Sequence, residues 1–277
     1  MSLWHWHPSV ALGLAGLLAA YLTAARSLGR RGRRAGADHA RAASPAQTMA
    51  FVSGLAALAA VLLGPVAEWA EHVALSAHMT QHLVLTLVVP PLWLAGLPGA
   101  FFRPLARVRV GWRVGFALTR PAMALALASA TLVAWHLPVL FEAALRREAL
   151  HILEHGTLLA TALLLWWPVL GPLPDWPRPA PAAQLLYLFL CTVPMMAVAS
   201  PITLADHVLY PFYGETARPW PLSPRTDQEL AGIVMWIGGT LTYAVAGTIV
   251  FFRWAAREEP AEREAAALPA SPRSVSE

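Results

Sequence analysis

Ten histidines in a chain with a single cysteine are the residues that could do chemistry here. His78 and His82 are four residues apart, as are His151 and His155, and on a helix that spacing turns both imidazoles of a pair onto one face. Each pair can therefore point at one site, and His136 adds a fifth imidazole. Cys191 stands alone, which excludes a thiolate cage for zinc or an iron–sulfur cluster and leaves His, Met and carboxylate as the available ligands. Thioether and low-coordinate imidazole suit Cu(I). Met79, Met196 and Met235 are accordingly candidate additional ligands, and Glu154, His207 and Asp227 are candidates to ligate or to orient an imidazole. The same residues admit other chemistry. Buried imidazoles can simply hydrogen-bond between helices, and two of them on neighbouring helices can hold haem iron. His151-Ile152-Leu153-Glu154-His155 also matches H-x-x-E-H, the inverted zinc-peptidase pattern, in which the glutamate activates a zinc-bound water and a further acidic ligand arrives from downstream.

The elements that position these residues must be membrane spans. Of 277 residues, 57% are hydrophobic and 13% charged, about half the charge of a soluble domain, and the mean hydropathy is +0.52. One cysteine rules out a disulfide-stapled secreted module. A net charge of +4 would raise nucleic acid as a partner in a soluble protein, but here the arginines serve topology instead, and no nucleic-acid partner is expected. Apolar stretches of membrane length fall near 8–25, 47–66, 77–97, 121–141, 149–170, 183–201 and 229–252, which predicts an all-α polytopic membrane protein, a bundle of seven transmembrane helices. The first stretch has no basic residue before it, so it reads as a retained span rather than a cleaved signal peptide. Residues 1–253 form the membrane domain, and the charged, Ala/Pro/Ser-rich remainder, 254–277, is expected to be a disordered cytoplasmic tail.

Six arginines from Arg26 to Arg41 lie in the first loop, and Arg103, Arg107, Arg109, Arg113 and Arg120 lie at the third. The positive-inside rule places those loops in the cytoplasm, giving an N-terminus-out, C-terminus-in orientation. His5, His7, His72, His78, His82, His136, His151, His155 and His207 then share the outer face, and only His39 is cytoplasmic. His82, His136 and His155 each fall about one turn into the membrane on three different helices. Pro138 predicts a kink just after His136, and Pro90 and Pro91 predict a break two turns beyond His82, freeing carbonyls that need partners within the protein. The long connection between the sixth and seventh spans is expected to pack as an outer cap.

Three blocks in series carry a resemblance: His78-Met79-Thr80-Gln81-His82 with Pro90-Pro91-Leu92 and Gly96; Trp135-His136-Leu137-Pro138 with His151, Glu154, His155 and Trp166-Trp167-Pro168; and Tyr210-Pro211-Phe212-Tyr213 with Asp227-Gln228-Glu229-Leu230-Ala231-Gly232 and Met235-Trp236. Over roughly residues 50–252 the chain resembles the CtaG-type family of multispanning cytochrome c oxidase assembly factors, named for the caa3-type oxidase. The resemblance implies a multi-pass protein of the bacterial inner membrane, surrounded by lipid and not an enzyme, that matures a haem–copper oxidase at a copper centre, with an oxidase subunit as partner. Joined to the residue reading, it gives a metallochaperone that binds Cu(I) through His78, His82, His136, His151 and His155 between spans three, four and five. The rival readings are a haem or electron-transfer protein and a copper permease or tolerance protein; the apolar inner halves of the spans argue against transport. The first span and the Arg-rich loop 26–46 match no pattern of that family, and His5 and His7 have no assigned role.

Overall fold

The computed structural model describes residues 8–34, 43–102, 104, 107–176, 178–215 and 221–267. His5, His7, His39, Arg41 and residues 268–277 lie outside the described residues. All regular structure among the described residues is helical. Six helical segments are long and apolar enough to cross a membrane: within α1 (Pro8–Arg34), α2 (Pro45–Leu62), the bent span Leu75–Gly96, α9 (Glu148–Leu170), α10 (Pro181–Leu204), and the first part of α11 (Pro224–Ala267). A seventh crossing requires α6 (Arg109–Leu118) and α7 (Pro121–His136), bent by 73°, to count as one span.

The expected span 121–141 is therefore corrected. It stops at His136, because Leu137 takes an extended conformation (φ −65°, ψ 129°) and a separate helix, α8 (Pro138–Arg146), follows. Proline disfavours helical backbone at the residue before it, so a full break replaces the expected kink. At 16 residues, α7 reaches only about 24 Å. Of the expected disordered tail 254–277, residues 254–267 are corrected, since α11 stays helical through Ala267; the rest lies outside the described residues. Short helices also join the spans, among them α3 (Pro65–His72), α6, α8 and the single turns Gly99–Phe102 and Phe212–Glu215.

The Leu75–Gly96 span is built in three pieces. α4 (Leu75–Leu83) carries His78 and His82, a π-helical turn follows over Val84–Val88, and α5 (Val89–Gly96) begins at Val89 with Pro90 and Pro91 in its first turn. Val89 N–H bonds Val84 O, five residues back. Proline has no N–H, so Pro90 leaves Thr86 O without its helical donor. Trp166 Nε1 of α9 donates to that oxygen at 3.0 Å, the protein partner that the sequence demanded. α5 packs on α2 at backbone contact: a Cβ on Gly96 would stand 2.6 Å from Phe51 N, and Tyr21 of α1 stacks on Phe51 and donates to Gly96 O. α10 and α11 pack along their length. Gly232 permits that approach, since a Cβ there would meet Ala199 O at 3.0 Å.

Trp166→Phe should leave Thr86 O orphaned and lower the unfolding free energy by about 1–3 kcal/mol, read as a fall in thermal midpoint in detergent. An unchanged midpoint would mean that the π-turn satisfies its own carbonyls.

Candidate metal centre

α4, α7 and α9 bring all five sequence-predicted imidazoles into one layer, with His78, His82 and His136 buried and His151 and His155 half-buried. Ring centroids of His78 and His82 are 4.4 Å apart and those of His151 and His155 are 4.2 Å apart, as the four-residue spacing requires. The pairs face each other: His78 lies 5.6 Å from His151 and 6.0 Å from His155, and His82 lies 5.3 Å from His155. His136, the last residue of α7, adds its ring 5.6 Å from His82. Phe141 of α8 sits edge-on against His78.

One candidate became central only in three dimensions. Ligand atoms of His78, His151, Glu154 and His155 all lie within 4.8 Å of one another, so Glu154, one turn from His151, belongs to the cluster itself. Its carboxylate is fully buried, with Oε1 3.6 Å from His82 Nε2. The other candidates lie apart. Met79 and Met235 belong to the apolar core with Met195, Met196 is exposed, and His207 is exposed and paired with Asp206.

Asp227 has a different task. Although it sits in the first turn of α11, its Oδ2 accepts from Leu75 N at 2.8 Å, and its Oδ1 accepts from Ser76 Oγ at 2.6 Å and Ser76 N at 3.4 Å. The local cap of α4, Ala74, has no side chain to offer. Asp227 therefore caps α4 from another helix, supplying the acceptor and negative charge that a helix start favours, and so fixes the element that carries His78 and His82. Gln81 Nε2 donates to Val61 O and anchors the same helix on α2.

Tyr213 and two backbone carbonyls set the protons of His78 and His136. Tyr213 Oη donates to Ala70 O at 2.5 Å, so its oxygen can accept from His78 Nδ1–H at 3.1 Å; Ala70 O is also 3.3 Å from that nitrogen. This assigns the proton of His78 to Nδ1 and directs the Nε2 lone pair at the cluster, where it lies 3.0 Å from His82 Nε2. His136 Nδ1–H likewise donates to Leu132 O at 2.7 Å, which leaves its Nε2 lone pair free, and Tyr210 Oη donates to His136 O at the helix break. Ligating histidines are commonly oriented in this way. Both tyrosines are buried and come from the connection between α10 and α11, so its described part does cap the site. Gln228 holds it from below through Leu209 N and His207 O. Arg146 of α8 ties it at the surface by bridging Glu142 and Glu215, contacts that raise the guanidinium pKa, Glu215 first. Nothing in the sequence around Tyr210 and Tyr213 marks either contact.

Lone pairs outnumber donors in the cluster. His82 Nδ1, His136 Nε2, His155 Nε2 and both oxygens of Glu154 are buried without a hydrogen-bond partner. Such atoms cost about 1–3 kcal/mol each, and a bound cation answers several at once. An open groove of about 260 Å³ reaches His151 and His155 from the end of the bundle, bordered by Glu71, Glu148 and Gly156.

Membrane-length helices around a five-histidine layer define a polytopic membrane protein in which His78, His151, Glu154 and His155 could hold a metal ion. The chain belongs to the cytochrome c oxidase caa3 assembly factor family (Caa3_CtaG), whose family model matches residues 19–257. The match extends beyond the 50–252 expected from the sequence blocks and takes in the Arg-rich loop and the second half of the first span. No curated protein and no solved structure matches the chain.

Asp227→Ala should speed hydrogen exchange at the Leu75 and Ser76 amides and destabilise the protein by about 1–2 kcal/mol, with Asp227→Asn falling between it and the parent. Unaltered exchange at both amides would contradict the cap.

Proposed function

We propose that this protein binds Cu(I) in the histidine layer and delivers it to a haem–copper oxidase subunit during assembly, from the outer face of the bacterial inner membrane. The observation that carries this reading is the surplus of buried lone pairs on His82, His136, His155 and Glu154, in a cluster where hydrogen bonds to Ala70, Tyr213 and Leu132 fix two imidazoles with Nε2 inward. Charge favours a monovalent ion. Glu154 is the one buried carboxylate within the cluster, and with neutral imidazoles it offsets a single positive charge; a divalent ion would leave net charge in a medium that penalises it. Imidazole is a suitable Cu(I) ligand. More nitrogens are present than one ion needs, so His78, His151 and His155 serve as one ligand set and His82 and His136 as the next position along a transfer path. The excess of arginine at the opposite end supports an N-terminus-out, C-terminus-in orientation, with the groove beside Glu71 and Glu148 as the copper port.

The rival chemistries find less support. Zinc hydrolysis from H-x-x-E-H wants a further acidic ligand from downstream, but Asp227 is spent on α4 and Asp206 is an exposed partner of His207. A porphyrin would have to part rings that already pack at 4.2–6.0 Å. Transport needs polar groups below the layer. The cavity there holds about 40 Å³ between apolar side chains, and the Thr86 and Thr161 hydroxyls on its wall donate to their own helices.

Protein loaded with Cu(I) under anaerobic conditions in mild detergent should retain near-stoichiometric copper. His82→Ala with His155→Ala should lose it while keeping its helical content, and Glu154→Gln should weaken binding by about 10–100-fold. In cells lacking the parent gene, the double variant should not restore oxidase activity. Unchanged copper affinity in the double variant would overturn the site.

A further inference from the structure

At the end of the bundle away from the histidines, a second cavity of about 290 Å³ opens between α5, α9, α10 and α11. Its rim is formed by three arginines, Arg178, Arg253 and Arg257, and its wall is apolar, with Val169, Val245, Ile249, Val250 and the ring of Trp166. Asp227 and Arg257 are thirty residues apart on α11, about 45 Å along the axis, so this cavity and the histidine layer are separate sites.

The three arginines are gathered at one rim. Arg253 and Arg257 are four apart on one helix face. Arg178 is held in place by its Nε and Nη2, which donate to Gly171 O at 3.1 and 2.8 Å where α9 ends. Burial, and then the positive charges of Arg253 and Arg257, lower the pKa of Arg178. Among the described residues, none of the three forms an ion pair with a carboxylate. Three guanidiniums that repel one another are stabilised by an anion between them, and guanidinium is the side chain whose geometry best matches phosphate. The apolar wall below the rim runs in the direction of the membrane interior, where a hydrocarbon chain lies. No His, Met or Cys lines the cavity, so a porphyrin there would have no axial ligand.

We propose that this groove binds an anionic phospholipid, its phosphate held at the rim by Arg178, Arg253 and Arg257 and one acyl chain laid along the apolar wall between α9 and α11. The assignment does not rest on copper binding or on the oxidase role.

The test uses the full chain in a neutral detergent, titrated with phosphatidylglycerol or phosphatidylcholine of the same acyl chains and read by native mass spectrometry. Phosphatidylglycerol should bind about tenfold more tightly. Arg253→Gln with Arg257→Gln should remove that preference without moving the thermal midpoint of the lipid-free protein, since both side chains are exposed. Ala246→Trp, which fills the apolar wall, should weaken both lipids. Inorganic phosphate should not displace the lipid. Equal affinity for the two lipids, a preference that survives the double substitution, or displacement by inorganic phosphate, which would mark a site for the free anion, would each overturn the proposal.

Discussion

Hydrocarbon offers no hydrogen bonds, so a polar group carried into this bundle has to be met by another part of the chain. The architecture follows from how those needs are met. Pro90 strips Thr86 O of its donor, and Trp166 comes across from α9 to replace it. Pro138 ends α7 at His136, and Tyr210 reaches in from the capping segment to the exposed carbonyl. α4 starts with no capping side chain of its own, and Asp227 supplies one from α11. Each repair links elements far apart in sequence, so satisfying the backbone also fixes how α4, α7 and α9 stand relative to one another.

The histidine layer inherits its geometry from those repairs. Tyr213 and Ala70 hold His78 with Nε2 inward, and Leu132 does the same for His136. The N–H donors thus lie on the outer nitrogens of His78 and His136, His78 Nε2 meets His82 Nε2, and His136 Nε2, His155 Nε2 and both Glu154 oxygens are left without partners. A hydrogen-bond network designed only to hold helices together would alternate donors and acceptors. On the proposed function, the unpartnered atoms around a single carboxylate are offset by a bound cation. Rigid presentation by helices, rather than by loops, keeps the ligands close to their bound positions.

Periodicity made part of this legible in the sequence. Four-residue spacing was enough to pair His78 with His82 and His151 with His155, and hydropathy found the long helices. The prolines announced where carbonyls would be freed, though not which side chains would answer. What stayed hidden depends on contacts across the fold. Asp227 lies in the first turn of its own helix, which is reason enough for an acidic residue there, and nothing local shows that it serves α4 instead. Tyr210 and Tyr213 fall in a segment between spans, where aromatic residues usually mark the interface. Glu154 sits in a motif that points to hydrolysis, and its place among the imidazoles needs α4 to be brought alongside α9. The broken span at Leu137 was misread because a 20-residue apolar window averages over a single extended residue. Residues 254–267 look unstructured by composition, yet α11 carries its helix through them.

X-ray absorption at the copper edge of the Cu(I)-loaded protein tests the central claim most directly, because it reports the atoms bound to the metal. Two to three nitrogen neighbours with the outer-shell scattering of imidazole rings, and no sulfur, is the result that the geometry of His78, His151 and His155 requires. Scattering dominated by sulfur would put the copper at the methionines or Cys191, and an absence of bound copper would make the layer a structural network.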